Sequence, residues 1–294
     1  HLGHNASTLV TTPPIQSRNR KMGYSMFGRL LLLVRVSAVL TVTKLEGNEM
    51  SKFDLDGKVC VITGGGGSIG GQTCVELASG GAKVVVTGRT QETLDAVVEE
   101  ITSEGQEAIA IVCDITDPEQ VDNLVSETVK AFGSLDVLVN NAGGAWSRSE
   151  KAEDTSYDKW LLTVDSNLNG AFLCSMAAGK QMIKQQSGRI INVASTAGTK
   201  GNPYMLAYSA AKAGMISLSN NLAFMWKGYN IYVNVILPGA IIPRGKALED
   251  DVPPLEQRPG AEHVANMIRF LASPASDQIT GEAIPVRAWF KSDR

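Results

Sequence analysis

Tyr208 and Lys212 stand four residues apart in "YSAAK", within a stretch whose pattern predicts a helix, so both side chains fall on one face. A phenol titrates near ~10, too high for ready proton exchange at neutrality, and an adjacent ammonium favours phenolate and lowers that value. Such a tyrosine can give a proton to a carbonyl oxygen or take one from an alcohol. Ser195 closes the strand-like run "RIINVAS" and is placed to hydrogen-bond the same oxygen. Taken alone, the pair reads equally well as an exposed tyrosine beside a solvated lysine.

A second group of residues could hold a phosphate. "TGGGGSIGG", Thr63 to Gly71, follows the apolar run Val59 to Ile62 and opens a helix-like stretch. Read as G-x-G-x-x-G it matches Gly65, Gly67 and Gly70; read as T-G-x-x-x-G-x-G it matches Thr63, Gly64 and Gly70, with Ser68 where a glycine is usual. In a strand-loop-helix context, bare backbone can approach a pyrophosphate and the helix N-terminus stabilises its charge.

These groups need a scaffold, and the chain supplies one from Lys58 onward. "KVCVIT", "KVVVT" (83–87), "AIAIV" (108–112), "LDVLV" (135–139), "RIINV" (189–193) and "IYVNVIL" (231–237) read as strands buried on both faces. Helical patterns lie between them near 70–79, 91–103, 117–132, 156–184, 208–226 and 261–272. Thr116 is placed to cap the third of these helices, with Glu119 three positions on. Strand-helix alternation at this spacing predicts an α/β fold, a doubly wound parallel sheet of the Rossmann type in a single domain, with ligands beyond the carboxyl ends of the strands.

Composition narrows the chemistry. The chain has 294 residues, 44% apolar and 19% charged, enough for a substantial core. Cys60, Cys74, Cys113 and Cys174 lack C-x-x-C spacing and sit in apolar settings, which reads as reduced core cysteines of an intracellular protein. His1, His4 and His263 are the only histidines, too few for a His-based metal site or a Ser-His-Asp triad. Residues 1–49 carry a net charge of +4 and the remainder −7, and an acidic body argues against a nucleic-acid partner. Arg29 and Arg35 interrupt the apolar run of the leader, so stable membrane insertion is not expected. We expect residues 1–49 to lie outside the fold, either as sequence upstream of a start at Met50 or as a transit peptide, and residues 50–294 to form the catalytic domain.

With these motifs in order, the chain resembles the short-chain dehydrogenase/reductase family from about Asp54 to Val286. It also carries "CDITD", "NNAG" (140–143), Asn167 in "VDSNLNGAF", "LPG" after the sixth strand, and "FLASPASDQITGE". The resemblance implies that Asn167, Ser195, Tyr208 and Lys212 form a catalytic tetrad. It further implies cofactor contacts from Gly64, Gly67, Ser68, Ile69 and Gly70, from Arg89, from Asp114 and Ile115, from Asn141, Ala142 and Gly143, and from Pro238, Gly239 and Ile241, with Tyr208 and Lys212 shared between both sets. In the implied mechanism a hydride passes between nicotinamide and a carbonyl carbon while Tyr208 exchanges a proton with its oxygen. Ser195 orients that oxygen, Lys212 binds ribose hydroxyls and lowers the tyrosine pKa, and Asn167 holds a water leading from the lysine to solvent. No metal is implied.

Four features depart from the family pattern. Ser68 adds a hydroxyl to the glycine loop; Pro243 stands where a carboxamide-binding threonine is usual; the lid region from Arg244 to Gly260 is short, implying a site that is open or accepts bulky substrates; and "VRAWFKSDR" alters a tail often used in subunit contacts. The expected function is interconversion of a ketone and a secondary alcohol, with 3-oxoacyl thioesters, cyclic ketones such as steroids, and polyols as substrate classes. The alternatives are an enoyl-thioester reductase of the same fold and a non-catalytic nucleotide-sensing or scaffold protein. Gly88, where NAD-preferring proteins carry an acid, is followed by Arg89, which suits a 2'-phosphate and favours NADP(H) over NAD(H). A homodimer or homotetramer is expected, in the cytoplasm, or in an organelle matrix if the leader is a transit peptide.

Overall fold

Val59–Thr63 (β1) is buried throughout, and its side chains alternate between two cores: Cys60 and Ile62 enter one, Val61 the other. This alternation repeats along the neighbouring strands and fixes the architecture. In the computed structural model, which describes residues 52–145, 151–200, 202–248 and 252–288, six further strands join it. They are β2 (Lys83–Gly88), β3 (Ala108–Val112), β4 (Val137–Asn140), β5 (Gly188–Val193), β6 (Ile231–Pro238) and β7 (Ala283–Val286). The sheet is parallel, in the order β3-β2-β1-β4-β5-β6-β7, so the chain reverses its winding between β1 and β4.

Helices α1 (Ser68–Ser79) and α2 (Gln91–Ser103) cover one face, and α3 (Pro118–Phe132) covers the other. Beyond them come α4 (Tyr157–Val164), a π-helical turn (Asp165–Asn169), α5 (Gly170–Gln185), α6 (Leu206–Trp226) and α7 (Ala261–Ala272). On the first face Leu94, Val97 and Ile101 of α2 and Val264 and Ile268 of α7 belong to one core, in which α7 packs on α1, while Met182 of α5 and Leu222 and Trp226 of α6 belong to the core on the second. Leu77, Ile62, Leu138 and Met182 are fully buried, and truncating any of them to alanine costs about 2–5 kcal/mol. The described residues belong to one compact unit, Met50–Arg294.

The expected doubly wound sheet is the observed one, with differences of detail beside the added strand β7. Asp117, not Thr116, caps α3: its carboxylate accepts from the Glu119 and Gln120 amides, with Pro118 at the first helical position, while Thr116 donates to Asp114. The helix expected over 156–184 is interrupted at 165–169 by the π-helical turn. β3 lies at the sheet edge, so its residues are only half-buried, and Val112 is exposed. Residues 1–49 and the tail from Trp289 lie outside the described residues, and no described helix is long and apolar enough to cross a membrane.

Candidate active site

The reversal between β1 and β4 opens a crevice at the carboxyl ends of the strands, where such sheets bind ligands. Thr63, the last residue of β1, ties its two walls together. Its hydroxyl donates to the Val139 carbonyl and accepts from the Asn141 and Ala142 amides, and the Asn141 side chain donates back to the Thr63 and Gly64 carbonyls. Gly64 has φ +67°, in the left-handed region that glycine tolerates. A Cβ on Gly70 would lie 2.1 Å from the Gly64 carbonyl oxygen, so only glycine lets the loop fold this tightly onto α1. On the opposite wall Gly143 has φ +150°, and a Cβ there would stand 2.3 Å from Asn167 Oδ1.

The acid–base residues meet at the floor of this crevice. β5 delivers Ser195 just beyond its end, where the Ser195 hydroxyl accepts from the Ala197 amide at 3.1 Å. α6 delivers Tyr208 and Lys212 one turn apart. The Ser195 hydroxyl also donates to the Pro238 carbonyl at 3.5 Å, and both it and Tyr208 line the crevice. Lys212 Nζ donates to the Val193 carbonyl at 2.8 Å and lies 5.5 Å from the centroid of the Tyr208 ring. Lys212 is 3% exposed, and burial pushes its amine down to about 7. Burial also pushes the Tyr208 phenol up, opposed by Ser195. The expected lowering of the tyrosine by the lysine is not what shifts it: burial and Ser195 do, and the Lys212 nitrogen, whose ammonium the same burial disfavours, is committed to the Val193 carbonyl. Asn167 sits in the π-helical turn with its amide nitrogen donating to the Gly144 and Thr163 carbonyls, and its buried Oδ1 has no partner among the described residues.

The crevice encloses about 640 Å³. Asn167, Ser195, Tyr208 and Lys212 all line it. So do Gly64, Gly67, Ser68 and Ile69 from the glycine loop, Arg89 beyond β2, Asp114 and Ile115 beyond β3, Asn141, Ala142 and Gly143 beyond β4, and Pro238, Gly239 and Ile241 from the end of β6 onward. Gly70 does not reach the surface of the crevice; it lies buried beneath the loop and shapes it. The sequence reading missed Thr93 and Thr116 near the β2–β3 end, and Leu162 and Ser166 near the acid–base residues. No local motif marks Leu162 and Ser166: the π-helical turn brings them to the wall.

A dinucleotide fits this construction. The glycine cradle closes as soon as a Cβ is added, the α1 N-terminus adjoins it, and Arg89 is exposed at the mouth with no hydrogen bond or ion pair to a described residue. Arg89 is thus available to an anion.

The profile of the family described as short chain dehydrogenase matches residues 58–247. A 3-oxoacyl-[acyl-carrier-protein] reductase of a Synechocystis species is 40% identical, covering 79% of this chain and 96% of the relative. Among solved structures, one described as a putative short-chain alcohol dehydrogenase from Sinorhizobium meliloti superposes with a TM-score of 0.74 at 34% identity, covering 80% of this chain and 96% of its own. NAD+-bound xylitol dehydrogenase superposes with a TM-score of 0.74 at 32% identity, covering 80% and 99%.

Proposed function

Because the chain belongs to the short-chain dehydrogenase family, we propose that this oxidoreductase works chiefly as a reductase, converting a 3-oxoacyl thioester to the 3-hydroxy product with NADPH. The observation that supports the chemistry is the Tyr208–Ser195–Lys212 group gathered in the crevice, and the direction follows the reductases among its relatives. A phenol held above its ordinary range keeps its proton at neutrality and is ready to donate it to a carbonyl oxygen. The substrate class follows the 3-oxoacyl-[acyl-carrier-protein] reductases among its relatives.

A nicotinamide cofactor, when bound, supplies the hydride. In our reading the chain's own residues do the rest. The Ser195 hydroxyl donates to the substrate oxygen and sets it beside Tyr208, and the Tyr208 proton moves to that oxygen as negative charge develops. Lys212, with an amine near neutrality, can return a proton to Tyr208 at little cost. The unpartnered Asn167 Oδ1 suits a water that connects Lys212 to solvent. The glycine loop would hold the pyrophosphate, and Asp114 and Ile115, which line the crevice beyond β3, would hold the adenine.

NADP(H) is the proposed cofactor, since Arg89 is uncommitted and Gly88 brings no charge. A Cβ on Gly88 would meet Leu94 Cδ2 at 3.3 Å, so Gly88→Asp is accommodated if Leu94 shifts by a few tenths of an ångström. We expect kcat/KM to favour NADPH in the parent and to move toward NADH in Gly88→Asp; equal or better use of NADH by the parent removes this role for Arg89. The reaction is tested by following oxidation of the reduced cofactor with 3-oxoacyl and 2-enoyl thioesters, cyclic ketones and polyols. Turnover of enoyl thioesters alone identifies an enoyl reductase, and binding of cofactor without turnover of any identifies a nucleotide sensor.

We further propose a homo-oligomer with residues 1–49 outside its fold. Phe172 on α5 and Phe224 and Met225 on α6 are exposed at 44%, 71% and 66%, an apolar display suited to a second copy. Cytoplasmic residence is the matching proposal for location, tested by comparing the distribution of the full chain with one starting at Met50.

A further inference from the structure

Two departures from the family pattern, distant in sequence, meet in space. Ser68 opens α1 beside the glycine loop, and its hydroxyl oxygen accepts the amide of Arg244 at 2.8 Å. The Arg244 side chain then lies along α1 and reaches α2: Nε donates to Gln72 at 3.1 Å and the guanidinium pairs with Glu100. Two residues upstream, Ile242 is fixed by backbone hydrogen bonds to Pro259 and Ala261. Between these anchors stands Pro243, whose ring fixes φ and which has no amide of its own to donate. The strap formed by residues 239–244 thus crosses from the end of β6 to the first turn of α1. Gly239 and Ile241 within it line the crevice, as does Ser68 at its far end.

We propose that Ser68 and Arg244 form a clasp that holds this strap across the phosphate end of the crevice and governs how fast the cofactor leaves. Ser68 is a positioning residue in this arrangement: its oxygen is occupied by the strap, while its own hydrogen remains available to a phosphate oxygen. Pro243 serves as a stiff spacer that aims the Arg244 amide at Ser68. A clasp of this kind holds the cofactor through backbone placement, without a threonine hydroxyl at position 243.

The proposal rests on the nicotinamide reading above, and its test separates the two. NADPH release is followed by the fluorescence of the bound nucleotide, and amide hydrogen exchange over 239–248 is measured in protein without cofactor. Loss of one hydrogen bond predicts release about 3- to 10-fold faster in Ser68→Ala. Arg244→Ala should act in the same direction, the double variant should fall short of the product of the two effects, and Ser68→Thr, which keeps the hydroxyl, should stay near the parent. Exchange at Arg244 should quicken in Ser68→Ala even without cofactor. Parental release in Ser68→Ala overturns the clasp, whether or not exchange quickens, and so does full additivity of the two substitutions. A parent that binds neither NADPH nor NADH instead overturns the nicotinamide reading, and with it the claim about release, while unchanged exchange in Ser68→Ala would dispose of the clasp by itself.

Discussion

At the scale of single residues, Tyr208 and Lys212 carry separable duties. Tyr208→Phe keeps the ring and removes the proton, so turnover should fall by about 10²-fold or more while cofactor affinity stays near the parent, read by steady-state kinetics and nucleotide titration. Lys212 predicts a dependence of stability on pH whose sign can be worked out. The unfolded chain holds this proton up to about 10.5 and the folded chain only to about 7, so between those values unfolding takes up a proton and stability rises with pH. The buried thiols act oppositely from about 9 upward, since Cys60, Cys74 and Cys174 are pushed far up and Cys113 to about 11. Denaturant unfolding at pH 7 and 9 should therefore show the parent gaining on the order of 2 kcal/mol relative to Lys212→Met, and a constant difference would contradict the buried amine. The tyrosine–lysine pair was legible because helical spacing puts positions four apart on one face. The direction of the tyrosine shift was not, because it depends on how deeply the fold buries the phenol and on the carbonyl that Lys212 meets.

Elements were legible where a local pattern sufficed. Six strands read as short apolar runs, and all six occur within a few residues of their expected limits. β7 escaped notice because it has only four residues, includes Pro285 and is paired on one side by β6 alone, so its strand character comes from the partner rather than from its own sequence. The glycine loop was legible as a class, but its working parts needed coordinates: Thr63 and Asn141 are 78 positions apart, and their mutual bonds join two strand ends. Gly70 tests how tightly that loop is drawn. Gly70→Ala would force a Cβ toward the Gly64 carbonyl, costing about 1–3 kcal/mol and weakening nucleotide binding at least 10-fold. Gly228→Ala, where nothing lies within 4 Å, should change neither in thermal unfolding or titration. Equal behaviour of the two variants would contradict the close packing at Gly70.

For the molecule as a whole, the compact unit begins at Met50, and a chain starting there should keep the melting temperature and specific activity of the full chain. A lower melting temperature on truncation would show that the leader packs on the domain. The order of strands was legible as a class of sheet, since alternating strands and helices leave few other solutions, whereas the strap from β6 to α1 was not, because it depends on a contact across 176 positions. The π-helical turn at 165–169 also constrains how the chain can vary in length. Such a turn holds one residue more than the α-helical turn it replaces. Deleting that residue would restore an uninterrupted helix and rotate everything before it by about 100° relative to everything after it. Leu162 would swing off the crevice wall, and Thr163 and Asn167, both fully buried, would leave the places that the Gly144 carbonyl and α6 now fix, so single-residue deletions between Tyr157 and Gln185 should cost stability as well as the ligand.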